Sequence, residues 1–98
     1  MKKRAMTSEI IREDEVQTEE AVYRYTLSVT ESRRVASYRL PLYSVAVHMT
    51  RADGYETTAE TGEVFADIGK AIVFYERMVE GLATPIGLPY ILEDEIMT

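Results

Sequence analysis

The stretch Val22-Tyr23-Arg24-Tyr25-Thr26-Leu27-Ser28-Val29-Thr30 decides the fold. Tyr23, Tyr25, Leu27 and Val29 fall on one side. Arg24, Thr26, Ser28 and Thr30 fall on the other, with Val22 the exception. Alternation of period two in β-branched and aromatic residues marks a strand with one buried face. A second such run follows at Leu42–Thr50. Tyr43, Val45, Val47 and Met49 point one way, and Ser44, Ala46 and His48 the other.

The cover for these apolar faces lies further along the chain. Over residues 69–80 the period changes to that of a helix. Phe74, Met78, Leu82, Ala71, Tyr75, Val79 and Ile72 share an arc of about 160°, wide enough to lie across a sheet. Asp67 or a neighbour caps this helix, and Gly81 suits the left-handed residue that ends it, with Leu82 folding back. Thr84-Pro85 is a further start signal, predicting a turn over 85–88 and a short helix from Pro89 to Ile96.

Between and before these elements the signals are weaker. Glu31–Pro41 is polar and reads as a loop, because Pro41 bars a central-strand position. Asp53-Gly54 suits a two-residue type I′ hairpin, and Thr61-Gly62 offers a second bend. Either turn closes the hairpin that leads to a third strand at Glu63–Ile68, with Val64, Ala66 and Ile68 on one face. Residues 1–20 read as an acidic flexible arm, with a short edge strand around Ile10–Arg12 as the alternative. The expectation is one α+β domain over residues 21–98. It has a three-stranded, or four-stranded, antiparallel meander with one face covered by two C-terminal helices. Such a sheet leaves an outer face and an edge open to a partner strand or a second copy.

Tyr43-Ser-Val opens a strand, Glu63-Val-Phe-Ala-Asp67-Ile68 runs into a helix, and Thr84-Pro85, Leu88 and Ile91-Leu92-Glu93-Asp94-Glu95-Ile96 close the chain. Over residues 22–97 this resembles a family of small bacterial proteins filed as domain of unknown function 6514. It departs from that pattern at Gly69 and Pro89. The resemblance implies the same small α+β fold, with no activity and no functional residue attached.

Composition narrows the function classes. The 98 residues form one small domain, with 46% apolar and 29% charged residues. Eleven cations against 17 carboxylates give a net charge of −6. A polyanion or an anionic membrane is repelled by such a surface, so neither nucleic acid nor membrane is expected as a partner. There is no cysteine, which removes disulfides, thiolate metal sites and cysteine nucleophiles. Met1-Lys2-Lys3-Arg4 is followed too soon by Glu9, Arg12, Glu13, Asp14 and Glu15 to open a signal peptide. A soluble cytoplasmic protein is expected.

Candidate chemistry is sparse. His48 is the only histidine, and its strand parity sets it on the outer face. Ser44, four residues back on the same face, is too far for a direct hydrogen bond, so His48 reads as a solvated side chain before it reads as a general base. The acidic runs Glu13-Asp14-Glu15 and Glu93-Asp94-Glu95 lack the alternate spacing of a calcium loop and read as solvated faces. Tyr38, Tyr55 and Tyr90 divide between packing and contact residues. No phosphate-cradling loop or nucleophile elbow occurs, and no cofactor, metal or catalytic residue is expected. Arg24, Arg33, Arg34 and Arg39, with His48, mark the candidate interaction face. Arg24, Arg33, Arg34, Arg39 and Arg51 read as a charged sheet face paired with Glu31, Glu56 and Glu63, or as a bidentate cluster for a carboxylate or phosphate. The leading expectation is a non-enzymatic interaction or regulatory protein whose partner is a protein, either itself or another. The alternative is a small-ligand or anion-binding module.

Overall fold

The computed structural model describes residues 7–32, 40–62 and 64–97. Its elements are β1 (Thr7–Gln17), β2 (Ala21–Ser32), β3 (Leu40–Arg51), β4 (Glu56–Glu60), α1 (Ile68–Glu80) and α2 (Leu88–Met97). The strands form one antiparallel sheet in chain order. The expected α+β meander is therefore four-stranded, and both helices cover one face.

The register explains the cover. Tyr25 pairs with Val47 and Leu27 with Val45, so the alternating apolar residues of β2 and β3 face the same way. All four side chains are fully buried, packed with Ala71, Phe74, Tyr75 and Met78 of α1 and Leu88 of α2. Buried aromatic and aliphatic side chains each contribute roughly 1.5–3 kcal/mol. Asp67 caps α1, its carboxylate accepting from the Gly69 N–H at 3.0 Å.

Several expectations are corrected. The flexible arm is, from Thr7 onward, the full edge strand β1. Its pairing with β2 shifts register between Ile10 and Arg12, so Ile10 opposes Ser28 whereas Arg12 opposes Leu27. This bulge turns Arg12, Asp14 and Val16 to the helix side. Arg12 then reaches Glu76 at 3.0 Å and lies over the Tyr75 ring. The Tyr75 hydroxyl donates to Asp14 Oδ2 at 2.7 Å, with the Tyr25 carbonyl 3.1 Å away.

The third strand expected over Glu63–Ile68 is instead Glu56–Glu60, because the Asp53-Gly54 turn closes the hairpin. The Gly54 N–H donates to the Arg51 carbonyl, and Arg51 to the Tyr55 carbonyl. The loop thus holds three residues, Ala52 to Gly54, with Gly54 at φ 96°, rather than a two-residue type I′ turn. Further on, Phe65 is buried against Tyr43 while Val64 and Ile68 are exposed, inverting the expected parity.

Pro41 lies inside β3, opposite Glu31. It shares parity with Tyr43 and Val45, whose backbone groups bond away from β2, toward Phe65 and Thr61. At Pro41 that side lies beyond the end of β4, so no ladder bond needs its missing N–H. The end of α1 also differs. Leu82, not Gly81, is left-handed, at φ 53°. Leu82 N–H reaches the Val79 carbonyl and Ala83 N–H the Met78 carbonyl, which completes the cap one residue later than expected.

Candidate interaction surface

The helices lie on one face, so among the described residues no element covers the opposite face, although Thr30, which the register puts at one end of it, is buried. The smallest dimension of the molecule, 18 Å, accommodates one sheet and one helical layer. The register builds this outer face. Glu13 and Glu15 come from β1, Arg24, Thr26 and Ser28 from β2, Ser44, Ala46 and His48 from β3, and Glu56 and Thr58 from β4.

Its charges form a band across the sheet. Arg24 sits directly opposite His48. The Arg24 guanidinium lies 3.4 Å from Glu15 and 3.6 Å from Glu13. His48 Nε2 is 3.3 Å from Glu56, and its Nδ1 is 2.6 Å from the Thr58 hydroxyl. Beside the band, the Ser28 and Ser44 hydroxyls bond to each other at 3.0 Å. All of these side chains are partly or largely open to solvent.

Of the five residues assigned to the interaction face, the structure brings Arg24 and His48 together. Arg33, Arg34 and Arg39 lie outside the described residues. The expected carboxylates for the arginines of this face are Glu31, Glu56 and Glu63, but Arg24 pairs with the β1 carboxylates and Arg51 with Asp53, while Glu56 meets His48. Every described arginine is neutralised in this way. Arg12 pairs with Glu76, Arg51 with Asp53 and Arg77 with Glu95. Arg24 therefore offers no uncompensated charge to an anion, although its guanidinium stays exposed.

Thr58, His48 and Glu56 place a hydroxyl, an imidazole and a carboxylate within contact range. They sit on a flat sheet surface, where His48 is paired on both sides, with Arg24 and Thr58. Among the described residues no group of three or more potential ligands is placed to hold a metal. No helix among the described residues is long and apolar enough to cross a membrane.

The two sheet edges are guarded. β1 has its bulge and the inward-facing charges Arg12 and Asp14, and β4 is five residues long with a glutamate at each end. These are devices that oppose strand addition. Tyr55 and Tyr90 are exposed, Tyr55 beneath the Arg51 guanidinium. Tyr38 lies outside the described residues. Tyr25 and Tyr75 are fully buried. Burial, and then the neighbouring Tyr23, push the Tyr25 phenol up to about 12. Burial, and then Asp14, push the Tyr75 phenol well up.

One surface feature escaped sequence reading. A groove of about 530 Å3 lies between the β1–β2 and β3–β4 turns, with Glu19, Glu20, Tyr23, Met49 and Asp53 in its lining. It joins residues thirty positions apart, so no local pattern announces it. Comparison with family models, curated proteins and solved structures finds no match. The resemblance of residues 22–97 to domain of unknown function 6514 rests on its sequence motifs alone.

Proposed function

We propose that the chain is a non-enzymatic interaction protein of the bacterial cytoplasm, which docks a protein partner on the outer face of its sheet. One observation carries this: among the described residues, four strands with helices on a single side leave a polar face, from Arg24 and His48 to Ser28 and Ser44, without a covering element. The guarded edges favour that face over strand addition. The charge band across Arg24 and His48 supplies polar groups that a protein partner can match. Arg33, Arg34 and Arg39 belong to the same proposal. So does membership of domain of unknown function 6514, which the quoted motifs support. The anion-binding alternative is weaker, because Arg24 is already held by two carboxylates.

The test reverses the charge of the face. In the full chain, Arg24→Glu with His48→Glu is expected to release a partner recovered from the source cells. Melting should fall modestly, since the reversal removes the Arg24 pairs with Glu13 and Glu15 and sets new carboxylates beside them and Glu56, and circular dichroism checks that the variant folds. If every recovered partner stays bound to the folded variant, the outer face is not the docking surface. A thermal-shift panel of anions and metabolites addresses the alternative. A raised melting temperature would move the assignment toward ligand binding.

A further inference from the structure

The groove at the turn end of the sheet has an unusual combination of surfaces. Tyr23 and Met49 are register partners, and both are half-buried. The next inward pair, Tyr25 and Val47, is fully buried. The helical cover thus ends between these two pairs, leaving an aromatic ring and a thioether at the groove. Both turns are fixed. Thr18 Oγ1 organises the first by accepting from the Ala21 N–H, and Ala52 N–H donates to the Glu20 carbonyl, tying the second turn to the first.

The rim is acidic. Glu19, Glu20 and Asp53 line it, and its only cation, Arg51, is held by Asp53 at 2.7 Å and lies over Tyr55. Glu19 and Glu20 have no cation in ion-pair range among the described residues. An apolar floor below free carboxylates suits a long cationic side chain. Its methylenes would lie on Tyr23 and Met49 while its head meets the rim. The volume, about 530 Å3, falls within the range of ligand pockets.

This chain carries a segment of that chemistry. Lys2-Lys3-Arg4 holds three cations, and residues 1–6 contain no acid. The segment cannot serve its own groove. Thr7 pairs with Glu31, whereas the groove lies at Ala21, ten residues away along β2. That separation is about 33 Å of strand. Lys2 is five residues from Thr7, which spans at most about 18 Å.

We propose that this groove is a socket for Lys2-Lys3-Arg4 of a second copy, so that two antiparallel chains fill each other's grooves. The arrangement is self-complementary and closed, as a two-fold dimer requires. It is distinct from the outer face and stands without it.

Sedimentation equilibrium of the full chain tests the proposal. At low salt the chain is expected to be a dimer. The dimer should weaken near 1 M salt, where screening acts over about 3 Å. The variant Lys2→Glu/Lys3→Glu/Arg4→Glu and the variant Glu19→Lys/Glu20→Lys should each raise the dissociation constant at least tenfold. Mixing the two should restore a 1:1 heterodimer, because each now carries the charge the other lacks. Circular dichroism and melting confirm that both fold. Added peptide Met1–Met6 should also shift the Tyr23 ring and Met49 methyl signals in the triple variant. A wild-type chain that is monomeric at every concentration overturns the proposal, as does a dimer indifferent to both variants. A dimer lost in Arg24→Glu and kept in both groove variants would also overturn it, placing self-association on the outer face.

Discussion

The central strands and the first edge strand lie in one sheet but are held by different forces. Tyr25, Leu27, Val45 and Val47 of β2 and β3 turn fully buried apolar side chains to the helices. β1 turns Arg12, Asp14 and Val16 the same way, and reaches α1 through Glu76 and the Tyr75 hydroxyl. Apolar burial is non-directional and scales with area. The β1 contacts are directional, partly solvated and sensitive to salt and to protonation. The centre therefore sets the stability of the whole domain, whereas β1 is held by its ladder with β2 and, toward the helices, by Val16 and a few polar contacts, which makes it the first part to open.

The strongest way to break the comparison is to damage the centre. Leu27→Ala should lower the unfolding free energy by about 2–5 kcal/mol, as core truncations do. In urea, β1 and the helices should lose structure together with β2 and β3. Tyr75→Phe sharpens the contrast. It removes the hydroxyl that Asp14 accepts from, at about 1–2 kcal/mol. Amide exchange should quicken most over Arg12–Val16, with β3 protection falling only by the global loss.

Alkaline pH acts on the same joint. The phenols of Tyr25 and Tyr75 are neutral in the fold, and that of Tyr25 is pushed up to about 12, against roughly 10 in an unfolded chain. A raised folded value means that the contribution is complete below about 10 and is lost as pH rises toward 12 and beyond. Melting temperature against pH should therefore fall over that window, and Tyr75→Phe should make the fall shallower. The smallest effect belongs to the exposed pair. Glu76→Gln should cost below about 1 kcal/mol and should vanish in high salt, as read from chemical denaturation.

Legibility follows the same division. β2 and β3 announce themselves because their inward side chains are apolar at every second position. The α1 stripe and its Asp67 cap are equally plain. β1 was hidden twice. Its inward residues are charged, and the bulge at Ile10/Arg12 puts Ile10 and Val16 on opposite faces despite their even spacing. Without β1, the sheet-face arginines point to Glu31, Glu56 and Glu63, whereas Glu13 and Glu15 lie alongside Arg24. β4 turns only Thr57 and Ala59 inward, too small and polar a pair to signal burial. Gly81 suggested the left-handed cap because glycine adopts it without strain, but the bonds from Leu82 and Ala83 place it one residue on. Parity alone sets Arg24 and His48 on the face opposite the helices, as the register does. The acidic groove required the spatial meeting of two turns.

The most direct test of the central claim is native mass spectrometry of the protein isolated from its own cells at natural abundance. The uncovered sheet face predicts a stoichiometric complex with another protein, which Arg24→Glu/His48→Glu dissolves without unfolding the chain. A lone chain that retains a small molecule, unchanged by that variant, would contradict it.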